Sequence, residues 1–232
     1  MILKGLQKTT LLDFPGKLAC TVFTGGCNFR CPFCHNASLV TRPADVEEIS
    51  LESFFSYISK RSGLLDGVCI TGGEPLLNKD IDDFIKRIRE LGLLIKLDTN
   101  GAFPERLEYL LDNGLVDYVA MDIKNSPEKY AMTAGIAEDF DISLLQKSID
   151  IIIDKAPDYE FRTTVVRELH TEADFVSIGT WLTGARACYL QAYRDSEDVL
   201  QPGFSCYSYE ELLHFRDILR KTISIVEIRG ID

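Results

Sequence analysis

Short apolar runs rich in β-branched and aromatic residues recur along this chain, and amphipathic stretches separate them. The runs cover residues 17–24 ("KLACTVFT"), 66–73, 93–101, 115–124, 159–166, 186–194 and 223–228. Between them, residues 50–63, 78–92, 104–113, 142–156, 171–184 and 208–222 carry helical spacing. The clearest is "NKDIDDFIKRIRELG", where Asn78 can cap the helix, Ile81, Phe84, Ile85, Ile88 and Leu91 share one face, and Gly92 closes it. Strands alternating with helices imply parallel βαβ units, and about six are visible. A closed eightfold barrel needs roughly 250 residues, and this chain has 232. The predicted fold class is therefore α/β, a partial (β/α)6 barrel open on one side. We expect one domain over residues 1–232, with a core at about 17–194 and a C-terminal helix and strand within 208–228.

In parallel α/β folds, ligands sit at the C-terminal ends of the strands. The polar outliers of this sequence collect there. Cys27, Cys31 and Cys34 follow the first run, and "TGGEP", with Gly72, Gly73 and Glu74, follows the second. "DTNG", with Asp98 and Thr99, follows the third, and "MDIK", with Asp122 and Lys124, ends the fourth. Arg162 lies in the fifth, and Gln191 and Arg194 lie in the sixth. Taken alone, "GGEP" reads as a strand-to-helix turn and "DTNG" as an Asx-turn. Their joint arrival at one rim is what points to a site.

The cysteines are spaced C-x3-C-x2-C within "GGCNFRCPFCHNA". Three thiolates do not close a tetrahedral zinc site, and His35 could add a fourth ligand only on a contorted backbone. Three thiolates on an iron–sulfur cubane leave one iron open, which marks a reactive site. The seven cysteines are an odd number and do not read as a disulfide framework. Cys20 and Cys69 read as buried strand residues, Cys188 and Cys206 stand alone, and His170 and His214 read as surface or satisfied core residues. The net charge of −11 argues against a nucleic-acid partner. No apolar run is long enough to span a membrane, and the N-terminus lacks a signal peptide's apolar core, so a cytoplasmic location is expected.

C-x3-C-x-aromatic-C, with Phe33 as the aromatic, resembles the signature of the radical S-adenosylmethionine (SAM) superfamily, and "GGEP" resembles its motif for the methionine amino group. "LDTNG" and "MDIK" resemble segments of the glycyl-radical-enzyme activases, such as pyruvate formate-lyase activase. The opening "LDFPGKLACTVFTGGCNFRCPFCHN" is most similar to the activating proteins of anaerobic ribonucleoside-triphosphate reductase. The resemblance runs from about residue 12 to residue 194.

The resemblance implies a laterally open barrel of the radical SAM type and an oxidoreductase. It implies a [4Fe-4S] cluster held by Cys27, Cys31 and Cys34, with S-adenosylmethionine on the open iron. One electron would cleave the sulfonium–C5′ bond, and the adenosyl radical so formed would take hydrogen from a glycine of a partner enzyme. Phe33 and the backbone of Cys34 and His35 would lie beside the adenine. Gly72 and Gly73 would allow close backbone approach, and Glu74 would accept from the methionine ammonium or orient the turn. Asp98, Asp122 and Thr99 would hold a monovalent cation near the methionine carboxylate, with Lys124 and Arg162 facing that carboxylate or the ribose. Arg194 would be a further cofactor contact; the formate-lyase activase has histidine at that place, which counts against that subfamily. Segment 13–16, "DFPG", would lie near the opening used by the protein substrate, or form only a turn. The implied partners are a glycyl radical enzyme, most readily anaerobic ribonucleotide reductase, and a flavodoxin or ferredoxin donor, with no nucleic acid and no membrane. Two alternatives stay open: activation of a pyruvate formate-lyase type enzyme, and radical chemistry on a small molecule such as a deazapurine precursor. A non-catalytic electron carrier fits less well, because a simple ferredoxin closes its cluster with four cysteines.

Overall fold

Parallel strands must be joined by crossovers of a dozen or more residues, and the amphipathic segments supply them. The computed structural model describes residues 1–231. Its strands are β1 (Leu3–Thr10), β2 (Ala19–Thr24), β3 (Gly67–Gly72), β4 (Leu94–Thr99), β5 (Tyr118–Asp122), β6 (Tyr159–Val165), β7 (Ala187–Ala192) and β8 (Ile225–Arg229). Its helices are α1 (Ala37–Thr41), α2 (Leu51–Ser59), α3 (Ile81–Arg89), α4 (Pro104–Asp112), α5 (Tyr130–Ala134), α6 (Ser143–Lys155), α7 (Glu172–Trp181) and α8 (Tyr209–Leu219). The strands form one sheet in chain order, β1 to β8. From β2 onward every neighbouring pair is parallel, and helical crossovers join the strands. Among the described residues β1 and β8 are the two edges of the sheet. The result is the expected α/β partial barrel, curved and unclosed.

Two local expectations change. Residues 3–10, not predicted as a strand, pair antiparallel with β2, Leu3 opposite Thr24 and Thr10 opposite Ala19. Asn78 does not cap α3; its side chain donates to the Pro75 carbonyl at 3.1 Å, and Asp80 takes the cap position. Pro75–Leu77 form a short 3-10 turn that delays the helix.

Successive strand residues face opposite sides, and here the two sides differ in chemistry. Val68, Ile70, Ile95, Leu97, Val119, Met121 and Phe161 face the helices and are fully buried in the main apolar core. Ile81, Phe84, Ile85 and Ile88 of α3 pack into that core, as do Leu145, Ile149 and Ile152 of α6. Each such side chain contributes about 1.5–3 kcal/mol on burial. The alternate positions face inward and are mostly polar: Cys69, Lys96, Asp98, Asp122, Glu160 and Arg162.

A small second core closes the N-terminal rim. Phe14, on the loop between β1 and β2, is 3% exposed and packs with Ala19, Tyr118 and Ala120. Its ring lies 5.9 Å from that of Tyr118. Asp13 is fixed beside it, accepting from the Thr21 hydroxyl at 2.5 Å. Of the two readings given for segment 13–16, the structure fits the turn: Lys17 N–H donates to the Phe14 carbonyl at 3.1 Å, and the segment plugs the N-terminal ends of the strands. Among the described residues no helix is long and apolar enough to cross a membrane.

Candidate functional site

The cysteine loop leaves β2 at the C-terminal rim and is tied down on every side. Gly26 N–H donates to the Leu39 carbonyl at 2.8 Å, and Arg30 N–H donates to Ala134 at 2.9 Å. From the segment after β7, Leu200 N–H donates to the Cys34 carbonyl at 3.2 Å and Gln201 N–H to Pro32 at 2.8 Å. Phe29, 2% exposed, anchors the loop edge-on against Tyr130 and Phe140. The three cysteines thus sit on a braced loop, and none forms a disulfide. Burial raises the thiol of Cys27 and pushes that of Cys31 up to about 12. Ligation there releases protons.

"GGEP" works by close contact between backbones. Gly72 has φ +114°, and a Cβ there would stand 2.4 Å from the Thr24 nitrogen. A Cβ on Gly73 would stand 1.9 Å from the Gly26 carbonyl oxygen. That contact lets Glu74 N–H donate to Gly26 O at 2.8 Å, locking the turn to the cysteine loop. The Glu74 side chain is fully buried under the turn and does not line the cavity. Its Oε1 accepts from Leu76 N–H at 3.0 Å and from the Thr99 hydroxyl at 2.9 Å, and its Oε2 accepts from Asn100 N–H at 2.7 Å. Burial pushes its pKa from 4.5 up to about 7 against these three donors. Of the two roles expected of Glu74, the geometry fits orienting the turn rather than a direct cofactor contact: Glu74 ties the end of β3 to the end of β4.

Between the cysteine loop and the strand ends lies a cavity of ≈ 260 Å³. Cys27, Cys31, Cys34, Phe33 and His35 form one wall, Gly72, Gly73 and Thr99 another, and Asp98, Asp122, Lys124 and Arg162 the floor. The sequence reading missed Phe29, Asn36, Val40, Thr71, Asn100 and Thr164 as lining residues. Asn100 lies within the "DTNG" turn, and its amide reaches Asn28 Oδ1 at 2.8 Å and Cys27 Sγ at 3.7 Å. Arg194 is a second correction. It does not line the cavity; its guanidinium donates to the Gly230 carbonyl at 2.9 and 3.1 Å, while Gln191 reaches the cavity. The Arg194 carbonyl meets His35 Nε2 at 2.5 Å and so fixes that ring.

The floor is a string of alternating charges. Lys96 pairs with Asp98 Oδ1; Arg162 Nη1 donates to Asp98 Oδ2 at 3.0 Å and Nε to Asp122 Oδ1 at 2.8 Å; Lys124 donates to Asp122 Oδ2 at 3.0 Å. Burial alone would raise both carboxyls, but the cations beside them hold Asp98 and Asp122 below the ordinary carboxylate range. Burial would depress Lys124, and Asp122 instead holds it well above the ordinary lysine range. His170, fully buried, fixes this segment by donating from Nε2 to the Lys124 carbonyl at 2.9 Å, with Nδ1 accepting from Val166 N–H at 3.2 Å. All four carboxylate oxygens face side-chain cations, so the monovalent cation expected at Asp98 and Asp122 meets sites already filled by lysine and arginine. With Lys96 beneath the floor counted, three cations against two carboxylates leave this string with one net positive charge.

The donor set fits an iron–sulfur cluster and not a lone metal ion. Among the described residues no three Cys, His, Asp or Glu side chains converge where one ion could sit. Three thiols spread along one wall suit a cluster, whose irons each take one thiolate. The cationic floor facing that wall suits a carboxylate-bearing ligand.

The model of the Radical SAM superfamily matches residues 21–172. A Methanocaldococcus jannaschii protein, provisionally named a glycyl-radical enzyme activating enzyme, is 31% identical over the whole of this chain and 97% of its own length. The chain spans less than half the length of several further curated relatives. Among solved structures, a domain of a pyruvate-formate lyase-activating enzyme from Bacteroides vulgatus superposes on 71% of this chain and 99% of its own length, with TM-score 0.56 and 19% identity. Streptococcus suis SuiB bound to S-adenosylmethionine superposes on 89% of this chain and 49% of its own length, with TM-score 0.66 and 15% identity. Both likenesses concern the fold.

Proposed function

Because the chain belongs to the radical SAM superfamily, we propose that it is an activase that generates a glycyl radical on a partner enzyme, anaerobic ribonucleoside-triphosphate reductase. As a member, the chain is an enzyme that uses a [4Fe-4S] cluster and S-adenosylmethionine. When bound, the cluster and S-adenosylmethionine together supply one-electron chemistry that removes a hydrogen atom from the substrate. The observation that carries the activase reading is the end-to-end similarity to an archaeal protein named for that role. The choice of reductase rests on "LDFPGKLACTVFTGGCNFRCPFCHN", and a flavodoxin or ferredoxin in the cytoplasm is the proposed electron donor. We take residues 1–232 as one functional domain.

The residues divide the work. Cys27, Cys31 and Cys34 would hold the cluster from one wall. Lys124 and Arg162 would meet the methionine carboxylate, their positions fixed by Asp98 and Asp122. Phe33 and His35 would border the adenine, and Thr99 and Asn100 would complete the rim. Gly72, Gly73 and Glu74 keep the cysteine loop and the β3 and β4 ends in register.

The test uses reconstituted protein, S-adenosylmethionine and a low-potential reductant, with and without an anaerobic ribonucleotide reductase. The expected results are release of methionine and 5′-deoxyadenosine, and a glycyl doublet in electron paramagnetic resonance when the reductase is present. No cleavage of S-adenosylmethionine would overturn the class. Cleavage without a doublet would overturn the partner.

A further inference from the structure

Lys96 lies beneath the cavity floor and does not border the cavity, yet it is 1% exposed. It comes from β4, two residues before Asp98, so both side chains face inward. Its ammonium pairs with Asp98 Oδ1, stands 3.9 Å from Cys69 Sγ and lies 5.7 Å from the Tyr118 ring centroid. Glu160, the next inward carboxylate, is held instead by both Arg229 guanidinium nitrogens at 2.8 and 3.0 Å and by the Tyr118 hydroxyl at 3.0 Å. The charge of Lys96 is therefore directed at Asp98.

We propose that Lys96 is the cavity's built-in counter-cation: a positioning residue that neutralises Asp98 from below, leaves Arg162 and Lys124 in surplus, and so allows the carboxylate of S-adenosylmethionine to bind without a dissolved alkali cation. The inference rests on the reading that this cavity takes S-adenosylmethionine. Without the ammonium, the remaining four groups sum to zero charge and Asp98 keeps one buried oxygen uncompensated. A buried charge deprived of its partner is strongly unfavourable. The simplest replacement for a lost ammonium against oxygen ligands is a small hard cation.

The test is the affinity of cluster-loaded protein for labelled S-adenosylmethionine, measured by equilibrium dialysis in potassium chloride and in tetramethylammonium chloride of equal ionic strength. The wild type is expected to bind equally in both salts. Lys96→Met is expected to bind about 5- to 150-fold more weakly in tetramethylammonium, the range of ordinary coupling between sites, and to recover in potassium. Potassium dependence of the wild type, an unimpaired Lys96→Met, or an impairment that potassium does not relieve would each overturn the proposal, the last because a purely structural role predicts it. If Lys96→Met does not fold, Lys96→Met with Asp98→Asn removes both charges; its binding should be indifferent to salt identity, and a potassium requirement would overturn the proposal. Failure of the wild type to bind in either salt would overturn the reading of the cavity and the inference with it.

Discussion

Replacing Glu74 by Gln tests how the site is held together. The carboxylate accepts from Leu76 N–H, Asn100 N–H and the Thr99 hydroxyl, and it is fully buried. Burial brings its pKa from 4.5 to about 7. The native state therefore holds this proton more tightly than the unfolded chain does, and the sign follows. The stability from Glu74 is fully present below pH 4.5 and is lost as pH rises through 7. At about 1.4 kcal/mol per pH unit between the two values, the loss is about 3 kcal/mol. Glutamine does not titrate, but its NH2 group faces one of the N–H donors at every pH, a constant cost of about 1–3 kcal/mol. Wild type should thus be the more stable protein near pH 4.5, and the two should converge or cross near pH 8. Urea denaturation of both cluster-free proteins in matched buffers measures the difference. A difference independent of pH would refute the reasoning. One that grows with pH would show that the three donors outweigh burial and keep the carboxylate ionised.

Three further substitutions separate the parts of the site. Gly73→Ala drives a Cβ into the Gly26 carbonyl, so we expect a loss of about 1–3 kcal/mol in denaturant unfolding and less iron bound after reconstitution. Phe14→Ala empties the plug at the opposite rim; the expected cost is about 3–5 kcal/mol, with S-adenosylmethionine affinity retained in the folded fraction, and weakened binding would contradict the separation of the two rims. Cys31→Ala should lower bound iron–sulfur absorbance and S-adenosylmethionine cleavage by more than about 100-fold, beyond the cost of losing a supporting residue, while leaving far-ultraviolet circular dichroism close to wild type.

Much of this arrangement is legible in the residues because period-2 alternation carries two messages at once. In "LLIKLDTNG" the apolar residues Ile95 and Leu97 mark the helix-facing side, and Lys96 and Asp98 share the other. The Lys96–Asp98 pair was available from spacing alone, although the run read simply as a strand. Parallel order and the C-terminal rim follow from the crossovers. What spacing could not reveal depends on partners distant in sequence. Residues 3–10 have exposed Gln7, Lys8 and Thr9 and no sustained alternation, so only pairing with β2 makes them a strand. Glu74 and a cofactor-contacting glutamate look alike in "GGEP"; the backbone donors of Leu76 and Asn100 decide between them. Arg194 follows a strand that ends at Ala192, and that ending turns its guanidinium to Gly230.

The barrel interior changes character along its axis, and that gradient restricts how a substrate can approach. Phe14, Ala19, Tyr118 and Ala120 close the N-terminal rim. Above them lie Lys96 and the Tyr118–Glu160–Arg229 cluster, then the Asp98–Arg162–Asp122 floor, then the cavity. A charged interior of this kind is stable only where every group is paired, and here the pairs cross from β4 to β6 and from β6 to β8. They cement the sheet's curvature without closing it. Among the described residues this packing covers the N-terminal rim, and the cavity opens at the C-terminal rim. The cysteines occupy the β2 side of the cavity and Gln191 of β7 the other. The segment after β7 is bonded to the cysteine loop, Leu200 N–H to the Cys34 carbonyl and Gln201 N–H to Pro32, so it bridges the cavity mouth on that side, and under the activase reading a partner's glycine loop has to meet a ligand held between the thiols and the cationic floor from beyond that bridge.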